Sequence, residues 1–416
     1  MLKRLDTYRE IINENRVVIA NRDTGEWMKI SKECADIINQ AIKLELADEE
    51  LLDKIADDED RSYIKTLLEK LEDLGVVSEK RENTIEFDVI YLLITNRCNL
   101  RCTHCCADAE GEASKTFQLE MNTQQWKKTI DKVISANPKG VAITGGEPMI
   151  RNDFFEILEY LRKKYTGKIA LATNSTLISN ENVSTLVKLI DKIDVSIDGI
   201  DEETCSKIRG KGVFGKVMNS IALLKNNGMK EITLSMTFGA SNYHLKEKFL
   251  ELNKALNTKP IIRIFMPKGR GEKSRQFFED DNKTNEGIVL SDDEMVVARK
   301  SLRTITCGAG IREFVINYDG SLYPCPNMVA DKYRFAHVDD FSSFQKLYES
   351  IYQKKEEMIS NLIKIQPEHL EECKNCKVNL FCWSCLAEIE LKLKDKEKFR
   401  ERCEIQKKIL YPLIWG

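Results

Sequence analysis

The strongest constraint in this sequence is a short loop in which three cysteines follow an apolar run. Cys98, Cys102 and Cys105 come directly after residues 90–94, which have the composition of a buried strand. Three thiolates in so short a loop can hold one iron-sulfur cube and leave its fourth iron without a protein ligand. A structural zinc site is the alternative, but it needs a fourth ligand, and His104 and Cys106 are sterically awkward within the same loop. The spacing therefore favours a cluster with one open iron at the end of a strand.

Length and charge limit what surrounds this loop. The chain of 416 residues is long enough for two or three domains with a well-buried core. Its 64 basic and 67 acidic residues are interspersed, which gives no sign of a nucleic-acid surface. Neither a signal peptide nor an apolar run of membrane-spanning length is present, so we expect a cytoplasmic protein without a membrane partner. In that compartment the 13 cysteines would be reduced, which favours metal ligation over disulfides.

Residues 1–85 predict a small module without catalytic groups. Two strands, at 17–20 and 26–30, flank a turn, and helical patterns follow at 32–42, 47–55 and 63–74, the first with Ser31 as its expected N-cap. This order of elements is winged-helix-like. A plain packing domain and a DNA-binding winged helix are the alternatives, and the acid-rich segment 48–60 argues against DNA.

Residues 86–300 predict an α/β domain, because apolar runs of strand length alternate with helical patterns. The predicted strands are 89–95, 141–144, 169–173, 193–198, 232–238 and 261–265, and the predicted helices are 123–136, 154–165, 182–189, 216–226 and 244–256. Six such units suggest an open, partial (β/α)6 barrel of the TIM type. In parallel α/β folds ligands bind at the carboxyl ends of the strands.

Several polar groups fall at those strand ends. Asn174 follows the third strand, where a turn would look the same, and Gly269-Arg270-Gly271 follows the sixth, where cofactor contact and packing both stay open. After the second strand come Gly145, Gly146, Glu147 and Pro148. The glycines allow a close backbone approach, and carbonyls together with Glu147 offer acceptors for an ammonium group, although an ordinary turn would look similar.

The fourth strand carries Ser196 near its end, and Arg209 follows in the next loop. A guanidinium suits a carboxylate because its planar fork donates two parallel hydrogen bonds.

Residues 301–416 contain a second set of seven cysteines. They are Cys307, Cys325, Cys373, Cys376, Cys382, Cys385 and Cys403. Residues 314–323 predict a hairpin on an Asp-Gly turn, which would bring the first two thiols together. Cysteine pairs with two residues between them often bind zinc, so zinc stays an alternative for this set. Packing is the default role for Cys34, Cys106 and Cys205.

The cysteine loop followed by Gly145-Gly146-Glu147-Pro148 resembles the radical S-adenosylmethionine enzymes. The resemblance implies that Cys98, Cys102 and Cys105 hold a 4Fe-4S cluster whose open iron chelates S-adenosylmethionine. One-electron cleavage then yields a 5′-deoxyadenosyl radical that abstracts hydrogen from a substrate. It also implies that the Gly-Gly-Glu-Pro motif holds the amino group of the cofactor, and that Ser196 and Arg209 face its ribose and carboxylate.

The second cysteine set resembles the SPASM extension of these enzymes, which carries two auxiliary 4Fe-4S clusters. By the family's pairing, Cys373, Cys376, Cys382 and Cys403 hold one cluster, and Cys307, Cys325 and Cys385 hold the other. The spacing of Cys382 and Cys385 departs from the family, which more often has three residues between them. Two fully ligated cubes need eight thiolates, so seven leave one iron open, where a substrate thiolate could bind. Three clusters in total are therefore expected.

The N-terminal module resembles the peptide recognition element of enzymes that mature ribosomally made peptides, in which a leader peptide adds as a strand. Together these resemblances predict a peptide maturase that forms thioethers between peptide cysteines and carbon atoms of other residues. A flavodoxin- or ferredoxin-like protein would donate electrons. The alternatives are a carbon-carbon crosslinking or epimerising maturase, a sulfatase-maturing type of enzyme, and a non-enzymatic zinc-binding scaffold.

Overall fold

The computed structural model describes residues 1–79, 86–111, 115–278, 298–347, 361–362, 364–382 and 385–416. The chain divides into two compact units. One comprises Met1–Ile85, Asn285–Gly308 and Ser360–Gly416, and the other comprises Glu86–Thr284 and Ala309–Ile359. Each unit is thus built from segments that are distant in sequence. Among the described residues, no helix combines the length and the apolar character needed to cross a bilayer.

The first unit begins with a small mixed module. Its strands are β1 (Lys3–Arg4), β2 (Tyr8–Asn13), β3 (Arg16–Asn21), β4 (Trp27–Ser31) and β5 (Val77–Ser78), and its helices are α1 (Lys32–Lys43), α2 (Asp48–Asp53) and α3 (Asp58–Asp73). Strands β2, β3 and β4 form an antiparallel sheet, and β1 pairs with β5. The Ser31 side chain caps α1 by accepting from the Cys34 N–H at 3.1 Å, as the sequence predicts. Strand β2 was not expected, because Tyr8–Asn13 mixes charged and apolar residues without strict alternation.

The second unit contains the barrel-type sheet. Its strands are β6 (Val89–Leu93), β7 (Gly140–Thr144), β8 (Lys168–Thr173), β9 (Lys192–Ser196), β10 (Glu231–Phe238), β11 (Lys259–Ile264), β12 (Glu313–Ile316), β13 (Ser321–Tyr323) and β14 (Ala336–His337). Its helices are α4 (Thr123–Ser135), α5 (Phe154–Lys164), α6 (Val183–Leu189), α7 (Glu202–Arg209), α8 (Val213–Asn226), α9 (Lys246–Ala255) and the single turn α10 (Arg270–Lys273).

Nine strands of the described residues form one sheet in the order β11-β10-β9-β8-β7-β6-β12-β13-β14. The six predicted strands are confirmed, and β6 to β11 are all parallel. Strands β12 and β13 form the predicted hairpin, and β12 also pairs in parallel with β6, which the sequence did not indicate. Because β11 and β14 remain edges, this sheet is not a closed barrel.

Alternation along the strands separates the two faces of this sheet. Ile90 and Leu92 of β6, like Ile143 of β7 and Leu171 of β8, are fully buried on the face that the helices cover. Their neighbours along each strand, such as Tyr91, are only partly buried and lie on the opposite face. We call this opposite side of β6 to β11 the inner face.

The first unit ends in α11 (Asn379–Cys382), α12 (Leu386–Lys392) and α13 (Lys396–Trp415). Strand β3 packs on both of its faces. Val17 and Ile19 belong to the apolar core that contains α1 and α3, whereas Val18 and Ala20 belong to a second core with α11 and the end of α13. Residues from the two ends of the chain therefore share one hydrophobic core.

Candidate iron-sulfur and cofactor site

Cys98, Cys102 and Cys105 form what we call the first cysteine site, on the loop that follows β6. Cys102 is buried, and the other two thiols are partly buried. Backbone N–H groups point at the sulfurs, from Leu100 to Cys98 Sγ at 3.3 Å and from Ala109 to Cys105 Sγ at 3.5 Å. Such donors favour the charged thiolate, which is the form that binds metal.

The three thiols lie close enough to repel one another when ionised. Burial raises the pKa of Cys98 to about 11, and Glu147, Cys102 and Cys105 add to the increase. Burial also raises the pKa of Cys102, while the positive charges of Arg209 and Arg270 oppose it. These increases oppose ionisation of Cys98 and Cys102, and bound iron would supply the positive charge that favours thiolates. The donor set therefore fits a thiolate-ligated cluster.

Among the described residues, no three His, Cys, Asp or Glu side chains converge closely enough to hold a single metal ion. A cube binds its thiolates at separate corners, so its ligands lie further apart than the ligands of one ion.

The Gly145-Gly146-Glu147 turn packs directly on the segment that leads into the cysteine loop. The Gly146 N–H donates to Thr95 O and the Glu147 N–H donates to Arg97 O, both at 2.8 Å. A Cβ atom on Gly146 would lie 2.2 Å from Arg97 O, and one on Gly145 would lie 2.3 Å from Thr95 O. The glycines are therefore required for contact with this segment of the chain.

Glu147 is completely buried and ties the β7 turn to the end of β8. Its carboxylate accepts from the Thr173 hydroxyl at 2.8 Å, from the Asn174 N–H at 2.8 Å and from the Met149 N–H at 3.2 Å. Burial raises its pKa, although these hydrogen bonds act in the opposite direction. Pro148 starts the short 3-10 turn that follows. A contact between this motif and the amino group of a cofactor remains a prediction.

Asn174 joins the end of β8 to the cysteine loop. Its side-chain nitrogen lies 3.8 Å from Cys98 Sγ and donates to Asn99 Oδ1 at 2.9 Å. Asn99 in turn donates to Thr176 at 2.9 Å. The sequence placed Asn174 at the right end of the sheet but could not distinguish this contact from a turn.

Asp198 is the centre of a buried charged network after β9. It is 1 % exposed, has a φ angle of 53°, and accepts from Arg209 Nε at 2.8 Å and from the Thr237 N–H at 2.6 Å. His104 of the cysteine loop also pairs with it. Although burial alone would raise the pKa of Asp198, Arg209 and His104 hold it well below its usual range. Arg209 is therefore engaged by a carboxylate of the chain itself, and Ser196 lies nearby on the inner face.

Two further contacts to the cysteine loop come from elements whose role the sequence left open. Arg270 donates to Cys102 O through Nε at 3.1 Å, and its backbone N–H donates to Cys105 O at 3.0 Å. Gly269 has a φ angle of 57°, and its Cβ would lie 2.7 Å from Cys105 O. Helix α7, which was not predicted, accepts at Ile208 O from the Thr103 N–H at 3.0 Å. In the sequence, the Gly269-Arg270-Gly271 pattern is the signal that could have indicated the contact of Arg270 with the cysteine loop.

Cys373, Cys376, Cys382 and Cys403 form what we call the second cysteine site, within the first unit. Burial raises the pKa of Cys403, and the charges of Cys382 and Cys376 act in the same direction. Arg402 donates to Cys382 Sγ at 3.1 Å and to Cys382 O at 2.7 Å. These thiols are thus neighbours in space with cations beside them, which suits a site for several thiolates.

The remaining cysteines are distributed over both units. Cys307 and Cys385 belong to the first unit and Cys325 to the second, so their joint ligation of a cluster stays a prediction. Cys205 is buried and its thiol donates to Ile197 O at 3.0 Å. Cys106 is exposed and Cys34 is partly buried.

Family models match the region of the first cysteine site and part of the region that carries the other cysteines. The chain matches the radical SAM superfamily over residues 92–252. It also matches the SPASM iron-sulfur cluster-binding domain over residues 307–377.

Curated relatives include two proteins named for the products mycofactocin and the bacteriocin subtilosin. The mycofactocin maturase MftC of Mycolicibacterium smegmatis is 27 % identical over 274 residues, which cover 62 % of this chain and 68 % of that protein. The subtilosin biosynthesis protein AlbA of Bacillus subtilis is 28 % identical over 309 residues, which cover 70 % of this chain and 65 % of that protein.

Solved structures share the fold. The chain anSMEcpe with bound AdoMet aligns with a TM-score of 0.55 at 20 % identity, over 78 % of this chain and 98 % of that chain. SuiB of Streptococcus suis, bound to its precursor peptide SuiA, aligns with a TM-score of 0.53 at 13 % identity, over 95 % of this chain and 97 % of that chain. At these identities the likeness concerns the fold alone.

Proposed function

The chain is a radical SAM enzyme that carries a SPASM iron-sulfur domain, and from this premise we propose that it matures a ribosomally synthesised precursor peptide by forming thioether crosslinks. Each crosslink joins the sulfur of a peptide cysteine to a carbon atom of another residue. The peptide loses one C–H and one S–H hydrogen, so it is oxidised by two electrons, and S-adenosylmethionine is the oxidant. The observation that carries the proposal is the set of seven cysteines in the extension, one fewer than two complete clusters need.

Residues of the second unit support the first part of the proposal. Cys98, Cys102 and Cys105 would hold a 4Fe-4S cluster, and Gly145, Gly146, Glu147, Pro148, Ser196 and Arg209 would surround S-adenosylmethionine. When bound, this pair supplies a 5′-deoxyadenosyl radical that abstracts hydrogen. The protein's own contribution is to fix the cysteine loop through the backbone contacts of Gly146, Glu147 and Arg270. Such fixed geometry places a reactive group against one substrate position and excludes water.

The extension would hold two auxiliary 4Fe-4S clusters. Cys373, Cys376, Cys382 and Cys403 would complete the ligation of one of them, and Arg402 supports this set through its contact with Cys382. Cys307, Cys325 and Cys385 would hold the other, which keeps one iron available for an external thiolate. The division into modules at 1–85, 86–300 and 301–416 is part of this proposal.

The N-terminal module would bind the leader segment of the precursor. Its antiparallel sheet of β2, β3 and β4 has two strand edges, and a strand edge binds an extended peptide through main-chain hydrogen bonds. The named products of MftC and AlbA agree with peptide as the substrate class. A flavodoxin- or ferredoxin-like donor in the cytoplasm would supply the electron that starts cleavage of S-adenosylmethionine. The electron released when the thioether forms would leave through the auxiliary clusters, so the donor is not consumed on balance.

The test uses the peptide encoded by a short reading frame beside the gene, with anaerobically reconstituted enzyme, S-adenosylmethionine and a strong reductant. We expect a product that has lost two hydrogens per crosslink, with label in 5′-deoxyadenosine when the acceptor residues are deuterated. Alkylation of the peptide cysteines beforehand is the matched control and should abolish the product.

Product formation from the alkylated peptide would instead support a carbon-carbon crosslinking or epimerising maturase. Turnover on a sulfatase peptide would support the sulfatase-maturing alternative. A colourless protein that holds zinc and no iron would contradict every enzymatic assignment.

A further inference from the structure

The inner face of the sheet is apolar on one side and polar on the other. Tyr91 of β6 and Ala142 of β7 are opposite each other in register and belong to the apolar side. On the polar side, Asp194 of β9 is in register with Thr233 of β10, and Ser196 is in register with Ser235. A strand that is buried against helices on its other face has little structural use for an aspartate here. The polar side therefore needs an explanation.

Asp194 is the least satisfied group on this face. Its Oδ2 atom forms an ion pair with Arg263 of β11. Its Oδ1 atom is buried and has no hydrogen-bond partner among the described residues. The whole residue is 9 % exposed. Burying an acceptor without a donor is costly, and native proteins rarely accept the cost without a functional reason.

Arg263 complements this acceptor with donors. Half of its side chain is exposed, so nitrogens other than the one on Asp194 are accessible. Together the two side chains place a buried, unsatisfied acceptor beside accessible donors on the same face. Their opposite charges cancel, which disfavours both a cationic and an anionic ligand. A neutral group with one N–H and one C=O fits this pair best.

The position of the pair agrees with a substrate site. In sheet order, four strands separate β11 from β6. Even so, Arg263 lies within electrostatic range of Tyr91 on β6. Burial raises the pKa of Tyr91 to about 12, Glu313 and Cys325 add to the increase, and Arg263 opposes it. The register across β6 to β11 likewise places Arg263 on the same face as Tyr91. Asp194 precedes Ser196, the proposed cofactor contact, by two residues, or roughly 6.6 Å along the strand.

The geometry points to Asp194 and Arg263 as a binding site for an amide group of the substrate, with the amide N–H donated to Asp194 Oδ1 and the amide C=O accepting from Arg263. This inference rests on the proposed function, because a peptide offers such an amide at every residue. A main-chain amide and the carboxamide of Asn or Gln share the chemistry. The pair would hold the peptide next to the radical through its amide group and would not select for an apolar side chain.

The test measures weak binding to the full-length, iron-loaded protein by saturation-transfer NMR. The probes are blocked trialanine (N-acetyl-Ala-Ala-Ala-N′-methylamide), the same molecule with its central N–H replaced by an ester oxygen, and propionamide as a side-chain carboxamide. Methylammonium tests the alternative that Asp194 binds a cation. The variants are Asp194→Val and Arg263→Met. Lys168→Met is the control, because Lys168 forms an exposed ion pair with Glu231 at 2.8 Å elsewhere on the sheet.

We expect each of the two variants to weaken binding of blocked trialanine at least fivefold, the ester probe to bind more weakly than the amide, and the control to bind as the wild type does. If propionamide binding also weakens in both variants, the result supports a side-chain carboxamide of Asn or Gln as the group bound. Two results would overturn the inference. Blocked trialanine could bind both variants as tightly as the wild type, or methylammonium could bind more tightly than the amides in a way that depends on Asp194.

Stability gives a second readout. Asp194→Val removes an unsatisfied buried acceptor, so its thermal unfolding should occur at or above the wild-type temperature. A large decrease for both Asp194→Val and Arg263→Met would show that the pair is structural and would overturn the inference. If the enzyme crosslinks peptide but probe binding does not depend on Asp194 and Arg263, only this inference is contradicted. Pair-dependent binding without peptide modification counts against the proposed function instead.

Discussion

The two cysteine sites are held in different ways. The first cysteine site lies on one loop that is fixed from outside, by the turn after β7, the end of β8, helix α7 and the segment after β11. The second cysteine site is carried by short helical turns and by α13, next to the core shared with the N-terminal sheet. The nearest charges also differ. Buried Glu147 and Asp198 act on the first site together with Arg209 and Arg270, whereas Arg402 and Lys407 are the charged side chains that act on Cys403 of the second.

This difference indicates which substitutions should disturb each cysteine site. Distant loops position the first site, so substitutions far away in sequence should disturb it. The second site depends mostly on its own segment, so its sensitive positions should be local. The predictions below test this contrast.

The largest effect is expected from replacing Cys98, Cys102 and Cys105 together by alanine. Cleavage of S-adenosylmethionine should be lost, because the open iron disappears with its ligands. Iron content should fall by about a third if three equal cubes are bound. Iron and sulfide analysis with a cleavage assay provides the measurement. Cys106→Ala, an exposed cysteine in the same loop, is the matched control and should retain both properties.

Asp198→Asn should destabilise the second unit by about 3 kcal/mol, because it breaks a buried charged pair and leaves Arg209 without its partner. Affinity for S-adenosylmethionine should also decrease, since Arg209 and His104 lose the negative charge that holds both of them. Urea unfolding and equilibrium binding measure the two effects. Asp201→Asn should change neither, because Asp201 is an exposed N-cap of α7 and Asn caps equally well. Equal effects of the two substitutions would contradict the role of Asp198.

Gly146→Ala should cost roughly 1–3 kcal/mol and lower cluster loading, because the new methyl group would overlap Arg97 O. Unfolding and iron content report the result. Gly215→Ala is the control within α8, where a Cβ meets nothing within 4 Å. It should stabilise the protein by roughly 0.5–1 kcal/mol. Normal iron content in Gly146→Ala would mean that the loop tolerates displacement.

Arg402→Met should have the smallest effect, about 1 kcal/mol, through loss of the hydrogen bonds to Cys382. Iron of the second site should become easier to extract with a chelator, while cleavage of S-adenosylmethionine continues. The neighbouring substitution Arg400→Met on the same helix serves as the comparison. Loss of cleavage in Arg402→Met would contradict the independence of the two sites.

The sequence predicted much of this fold for a simple reason. A parallel strand that packs under helices is apolar on at least that face, so all six strands of the partial barrel could be found from composition and spacing. Ser31 as the cap of α1 and the hairpin around Gly320 followed from equally local rules. Strand β2 was missed because its residues do not alternate strictly. Helix α7 was missed because it is short, although its Asp201 cap is a local signal.

What the sequence determined by itself was the chemistry: thiols at fixed spacing, glycines after a strand, and the order of βα units. Only the tertiary structure decided which groups meet. It placed Arg270 on the cysteine loop, paired Asp198 with His104 and Arg209, and brought Arg263 to Asp194. The physical reason is that thiol reactivity and strand propensity are properties of a residue and its neighbours in the chain. An ion pair or a loop contact depends instead on how distant segments pack, which no local pattern encodes.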